Sequence, residues 1–132
     1  MPSHIHHINF LVRDLDRATK ALGTIFSSSP IFEPLPLRGA NTARFELGDT
    51  WFVLVSPTHE VGAIGQLLQQ QGEGVFLISL GTNSIQSSLL TYPQLEETGE
   101  PRNGLANWRV QDVNLGYPFN VIFQLCEEQG IS

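Results

Sequence analysis

The sequence predicts a small α+β domain built from two βαβββ halves, on three observations. Residues 5–12 alternate between apolar and polar character and run straight into a stretch of helical spacing. A tight turn joins two more alternating segments between residues 43 and 55. The same strand-then-helix order returns, in weaker form, from Gly74 onward. The 132 residues suit one domain, and a 41% hydrophobic content with eight Phe and two Trp supplies a core.

Taken in order, Ile8, Phe10 and Val12 share one face of the first strand, and His7, Asn9 and Leu11 the other. Asp14 suits an N-cap, and Leu15, Ala18, Leu22, Ile25 and Phe26 recur at helical spacing, so a helix runs from about Leu15 to Phe26. The run Ser27-Ser28-Ser29-Pro30 ends it. Pro34 and Pro36 lack N–H donors, which confines the segment after Ile31 to an edge strand or a bulge. Ala43 to Leu47 and Thr50 to Val55 form a hairpin about Gly48-Asp49. Glu60 to Gln71 suit a connecting helix stopped by Gly72, and Gly74 to Leu80 the next strand. Ser84 to Leu90 fits a short helix, Tyr92 to Gly104 a loop, Leu105 to Val113 a strand, and Phe119 to Cys126 the last strand, with residues 127–132 fraying. A shift of about seventy residues lays His7-Ile8-Asn9 over Leu77-Ile78-Ser79, and similar shifts lay Arg44 on Arg109 and Val53 on Gln124. One domain is expected, with modules at about 4–57 and 73–127 and a connecting segment at 58–72.

Seven basic against thirteen acidic residues give a net charge of −6, which repels a phosphate backbone and argues against nucleic acid as a partner. No apolar run approaches the roughly 18 residues of a membrane span, so no membrane partner is expected. The opening Met1-Pro2-Ser3-His4 lacks the pattern of a secretion signal. The single Cys126 can form no internal disulfide, which suits a reducing, cytoplasmic setting. The chain shows no GxSxG elbow, no Gly-rich phosphate loop and no HExxH helix.

Four stretches carry a resemblance: His6-His7-Ile8-Asn9-Phe10-Leu11-Val12-Arg13-Asp14-Leu15-Asp16-Arg17-Ala18, Ala43-Arg44-Phe45-Glu46-Leu47-Gly48-Asp49-Thr50, Gly72-Glu73-Gly74-Val75-Phe76-Leu77-Ile78, and Asn120 to Leu125. They resemble the vicinal-oxygen-chelate superfamily: glyoxalase, bleomycin-resistance, extradiol-dioxygenase and methylmalonyl-CoA-epimerase-like proteins. The resemblance implies a glyoxalase-like fold in which two βαβββ modules curl around a half-open, barrel-like cavity, and a homodimer. It also implies a divalent cation (Zn, Ni, Co or Mn) held by one residue from each of four strands. Those four positions fall on His7, Val53, Leu77 and Gln124. Val53 and Leu77 have no donor atoms, and the Gln124 amide is a weak ligand beside a carboxylate. The expected metal site, reduced to His7 and Gln124, is therefore degenerate.

Strand alternation would put His7, Asn9, Val53, Leu77, Ser79 and Gln124 on the cavity side, with Ile8, Phe10, Phe52, Leu54, Ile78, Phe123 and Leu125 beneath the helices. His7 and Glu46 are the candidates for proton transfer, since an imidazole or a carboxylate can move a proton near neutral pH. Asn9, Arg44, Trp51, Ser79, Arg109 and Gln111 are the candidates for holding a small-molecule substrate, the guanidinium groups by bidentate contact with a carboxylate or thioester oxygen. Arg44 and Glu46 read equally as a salt-linked polar face, and His7 as a vestigial side chain bonded to Gln124. His4 and His6 are expected at the surface, and Cys126, next to Glu127 and Glu128, is expected to be unreactive. Two functions stay open: a glyoxalase-like lyase or isomerase, an epimerase among the options, acting on a small carbonyl or thioester compound through an enolate-type intermediate, and a non-catalytic small-molecule binding protein of the bleomycin-resistance type.

Overall fold

The computed structural model describes residues 2–128 and folds them into nine strands and three α-helices in an α+β arrangement. The strands are β1 (His4–Leu11), β2 (Ile31–Leu35), β3 (Ala40–Leu47), β4 (Thr50–Pro57), β5 (Gly74–Gly81), β6 (Glu96–Glu97), β7 (Arg102–Asn103), β8 (Arg109–Asn114) and β9 (Ile122–Glu127). The helices are α1 (Leu15–Phe26), α2 (Ala63–Gln71) and α3 (Ile85–Thr91). None of the described helices is long and apolar enough to cross a membrane. The chain divides into two compact units, Ile8–Phe76 and a second made of the residues up to His7 with those from Leu77 on.

In the unit Ile8–Phe76, α1 has the bounds its spacing predicts: Asp14 Oδ1 accepts from the Arg17 amide at 3.1 Å, and Ser27 closes the helix in a left-handed conformation. Gly48, at φ +61°, makes the turn between β3 and β4, whose register pairs Phe45 with Phe52 and Arg44 with Val53. Phe45, Leu54 and Val12 are buried and pack with Phe10, Phe52 and the α1 residues Leu15, Ala18, Leu22 and Phe26. The helix side of this sheet is therefore the side that alternation predicts. β2 carries Pro34 opposite Asn41 and pairs with β3 antiparallel.

In the other unit β5 pairs with β9 in parallel, and β9 with β8 antiparallel. Leu125, Val113 and Ile85 form its core, with Leu80, Leu89, Leu95, Leu115 and Phe123 packed around them. Ser84 caps α3 by accepting from the Ser87 amide at 3.1 Å, and Glu127 Oε1 accepts from the Ile85 amide at 2.8 Å. Four expectations need correction here. The strand expected from Leu105 starts at Arg109, because Ala106 and Asn107 adopt left-handed φ values of 51° and 60° that end any extended run. The last strand starts at Ile122 rather than Phe119, after a tight turn closed by the Phe119 amide on the Tyr117 carbonyl at 2.8 Å. The expected loop 92–104 contains β6 and β7, each a two-residue pairing with β8. Glu127, expected to fray, ends β9, while residues 129–132 lie outside the described ones.

Candidate functional site

β1 brings His6 and His7 into the second unit, and both are buried, at 2% and 4% exposure. Their Nδ1 atoms lie 2.8 Å apart, and His6 Nε2 lies 2.8 Å from Glu128 Oε1. A carboxylate accepts only, so His6 Nε2 carries the proton and His6 Nδ1 is left as an acceptor. His7 Nδ1–H therefore donates to it, and His7 Nε2 keeps its lone pair. The Trp108 ring stacks on His7 at 4.8 Å between centroids and meets His6 edge-on at 4.6 Å. Trp108, the residue just before β8, thus braces the two imidazoles.

Gln124, on β9, donates from Nε2 to Asp112 Oδ1 at 3.0 Å, and Asp112 in turn pairs with Arg102 at 3.3 Å. That fixes the amide so that Oε1 is the free end. Gln124 Oε1 and the hydroxyl of Ser79, its neighbour in the β5–β9 register, are both buried without a completed hydrogen bond. Cys126, two residues along β9, is 1% exposed. One ligand atom from each of His6, His7 and Cys126 can be chosen so that all three lie within 4.8 Å of one another.

Burial dominates the proton affinities here. It lowers His7 to about 3, with His6 pushing the same way and Gln124 opposing. His6 is lowered as well, by burial first, against the pull of Glu128. The Cys126 thiol rises to about 12; burial is again the leading cause and the neighbouring Glu128 and Glu127 add to it, while Ser79 opposes. The cluster is therefore neutral at pH 7: two imidazoles and a thiol.

The other candidates divide between the units. Arg44 is 7% exposed, lies 2.7 Å from Glu33 through Nη1, and sits 5.5 Å from the Trp51 ring centre. This is the salt-linked reading of that face, with Glu46 exposed beside it and opposite Trp51 in the register. Asn9, half-buried in the same unit, has a carbonyl oxygen without a completed hydrogen bond. In the second unit Arg109 is half-buried, 3.4 Å from Asn103 Oδ1. Gln111 pairs with Leu125, so it faces the α3 side rather than the face of Gln124, and its amide nitrogen donates to the Gly99 and Asp112 carbonyls at 3.1 and 2.9 Å. It secures the strand-to-loop contact there.

His6, Cys126 and Glu128 were missed as site residues. Alternation places His6 opposite His7 and so outside any shared site, yet both rings are buried and their Nδ1 atoms meet. No spacing in the sequence links position 6 to 126 or 128. The metal site that the resemblance implies does not fit these residues, since Val53 and Leu77 are buried hydrocarbon with no lone pair to offer.

No protein-family model matches the sequence, and no curated protein matches it either. Solved structures do match. A hypothetical protein from Bacillus halodurans C-125 superposes with a TM-score of 0.86 at 22% identity, covering 97% of this chain and 96% of that one. Methylmalonyl-CoA epimerase from Mycobacterium tuberculosis gives 0.85 at 19% identity over 98% and 90%. A variant of Streptomyces coelicolor methylmalonyl-CoA epimerase bound to 2-nitronate-propionyl-CoA gives 0.83 at 22% over 98% and 100%. The likeness is one of fold: the chain shares the glyoxalase-like α+β fold of these structures.

Proposed function

We propose that the protein is an epimerase-like isomerase or lyase that moves a proton at the carbon beside the carbonyl of a small acyl compound, a thioester in the first instance. The observation that carries this reading is the line Glu128–His6–His7, two hydrogen bonds of 2.8 Å from a solvent-exposed carboxylate to a buried imidazole. His7 Nε2 takes the proton, and the C–H electron pair moves into the carbonyl to give an enolate. The Nδ1 proton of His7 passes to His6, and the Nε2 proton of His6 to Glu128. Positive charge thus never rests in the buried site, which answers the low proton affinity of His7 on its own. The Ser79 hydroxyl, which lacks a completed hydrogen bond, is the donor proposed for the enolate oxygen.

The CoA esters bound by the neighbours supply the substrate class: one is solved with 2-nitronate-propionyl-CoA and one with methylmalonyl-CoA. Glu46 stays in the proposal as a second proton-transfer group and Arg44, Asn9 and Trp51 as substrate contacts, to be tested one by one; Arg109 shares the α3-side face of β8 with Gln111 and leaves it. The working form is proposed to be a cytoplasmic homodimer, for which Ile31, Phe32 and Leu37 offer exposed apolar surface. Incubation with methylmalonyl-CoA in D₂O, followed by mass spectrometry, tests the reaction. Deuterium uptake is expected, with a loss of about a hundredfold or more in His7→Gln and a smaller loss in Glu128→Gln. Binding with no uptake would favour the second reading, a non-catalytic binding protein, which the hydrocarbon side chains of Val53 and Leu77 support.

A further inference from the structure

We propose that His6, His7 and Cys126 form a binding site for a soft divalent transition ion such as Zn²⁺, displaced from the four-strand position that the fold family uses. The argument begins with donor chemistry. Two imidazoles and a thiol are the ligand types that zinc, cobalt and nickel favour over magnesium or calcium. Their ligand atoms lie within 4.8 Å of one another, close to the separations of roughly 3.3–3.7 Å that metal–ligand bonds of about 2.0–2.3 Å require in a tetrahedron. All three residues are almost fully buried, so their geometry is held by the surrounding packing.

A second observation is independent of the three. Gln124 Oε1 and Ser79 Oγ, both buried, have no partner at full hydrogen-bond geometry, although each lies close enough to the cluster to act on it, Gln124 on His7 and Ser79 on Cys126. A metal-bound water, or the ion itself on the Gln124 side, would give these oxygens a partner. Glu128 supplies the outer contact that metal-bound histidines usually have, since it holds the His6 Nε2 proton and leaves Nδ1 free to ligate. On binding, the ion takes the Nδ1 position where His7 donates to His6, the displaced proton moves to His7 Nε2 so that the imidazole stays neutral, and the thiol proton leaves to solvent. The metal-loaded state and the proton line of the proposed reaction therefore exclude each other.

Cobalt is the probe, because a thiolate bound to Co²⁺ gives an intense near-ultraviolet charge-transfer band. Cys126 is the only cysteine in the chain, so such a band has one possible source. The full chain, without a histidine tag, is titrated with Co²⁺ and then competed with Zn²⁺. The expected result is one Co²⁺ per chain with the thiolate band, the band abolished in Cys126→Ser, and affinity reduced at least about tenfold in Glu128→Gln, as when a metal-bound histidine loses the carboxylate on its other ring nitrogen. Far-ultraviolet circular dichroism checks that each variant is folded. If Cys126→Ser fails to fold, the wild-type band and the Glu128→Gln titration still decide. Absence of Co²⁺ binding, or binding without the thiolate band, overturns the proposal. None of these readouts depends on turnover, so the outcome is separate from that of the isotope experiment.

Discussion

His7 and His6 show how one residue pair can govern the pH response of the chain. The folded protein keeps His7 neutral down to about pH 3, whereas an unfolded imidazole takes a proton below about 6.5. Between those values the unfolded state binds more protons, so stability is full above about pH 6.5 and declines as the pH falls toward 3. His6 is shifted in the same direction and adds to the decline. For one group the slope reaches about 1.4 kcal/mol per pH unit. Urea denaturation at pH 7.5, 6.5, 5.5 and 5.0 should show it, and His7→Asn should flatten it in part. An unchanged slope in that variant would mean that His7 is not the buried neutral group described here. Alternation identified His7 from the sequence but sent His6 to the surface, because a period of two cannot show neighbouring side chains leaning together.

At the level of elements, how much could be read from the sequence followed how much hydrophobic period each element carries. α1 could be read to the residue because Asp14 caps it and Leu15, Ala18, Leu22 and Phe26 define its packed face, whereas Ile25, also at helical spacing, is 74% exposed. The β3–β4 hairpin was equally legible through Gly48 and the Phe45–Phe52 pair. From Glu96 to Trp108 there was little to read: two strands of two residues have no period, and Ala106 is not a residue that announces a left-handed turn. That stretch moved the start of β8, and the register that follows put Gln111 opposite Leu125. α2 supports one further test. A Cβ at Gly65 would collide with the His59 carbonyl oxygen and sit 2.7 Å from that of Glu60, both backbone atoms that cannot swing aside. Gly65→Ala should therefore destabilise the protein by about 1–3 kcal/mol, although alanine favours helix by about 1 kcal/mol. A midpoint of urea unfolding equal to or above that of the wild type would show that the α2 entry can give way.

For the whole molecule, the fold was legible because the four resembling stretches span most of the chain, while the site was not, because its members come from opposite ends of the sequence. Residues 6, 7, 79, 124, 126 and 128 share a unit but no motif. The surface is a separate matter. Ile31, Phe32 and Leu37 are exposed at 46%, 58% and 101%, which is costly for a lone chain in water and suits a covered interface. Sedimentation equilibrium should give twice the 14.6 kDa of one chain, and Phe32→Lys with Leu37→Lys should return the monomer. A wild-type monomer at tens of micromolar, a concentration at which a Kd near about 1 μM would leave mostly dimer, would rule the homodimer out.

The parallel pairing of β5 with β9, and the inclusion of the residues up to His7 in the same unit, bear on the order in which the protein can be made. On the ribosome, Ile8–Phe76 has all of its own strands and helices once its last residue emerges, and can settle while synthesis continues. His6 and His7 must wait for Cys126 and Glu128, more than a hundred residues later, so the buried cluster is assembled only after those residues have been made. A nascent chain paused earlier would leave both imidazoles in water, hydrated and free to titrate.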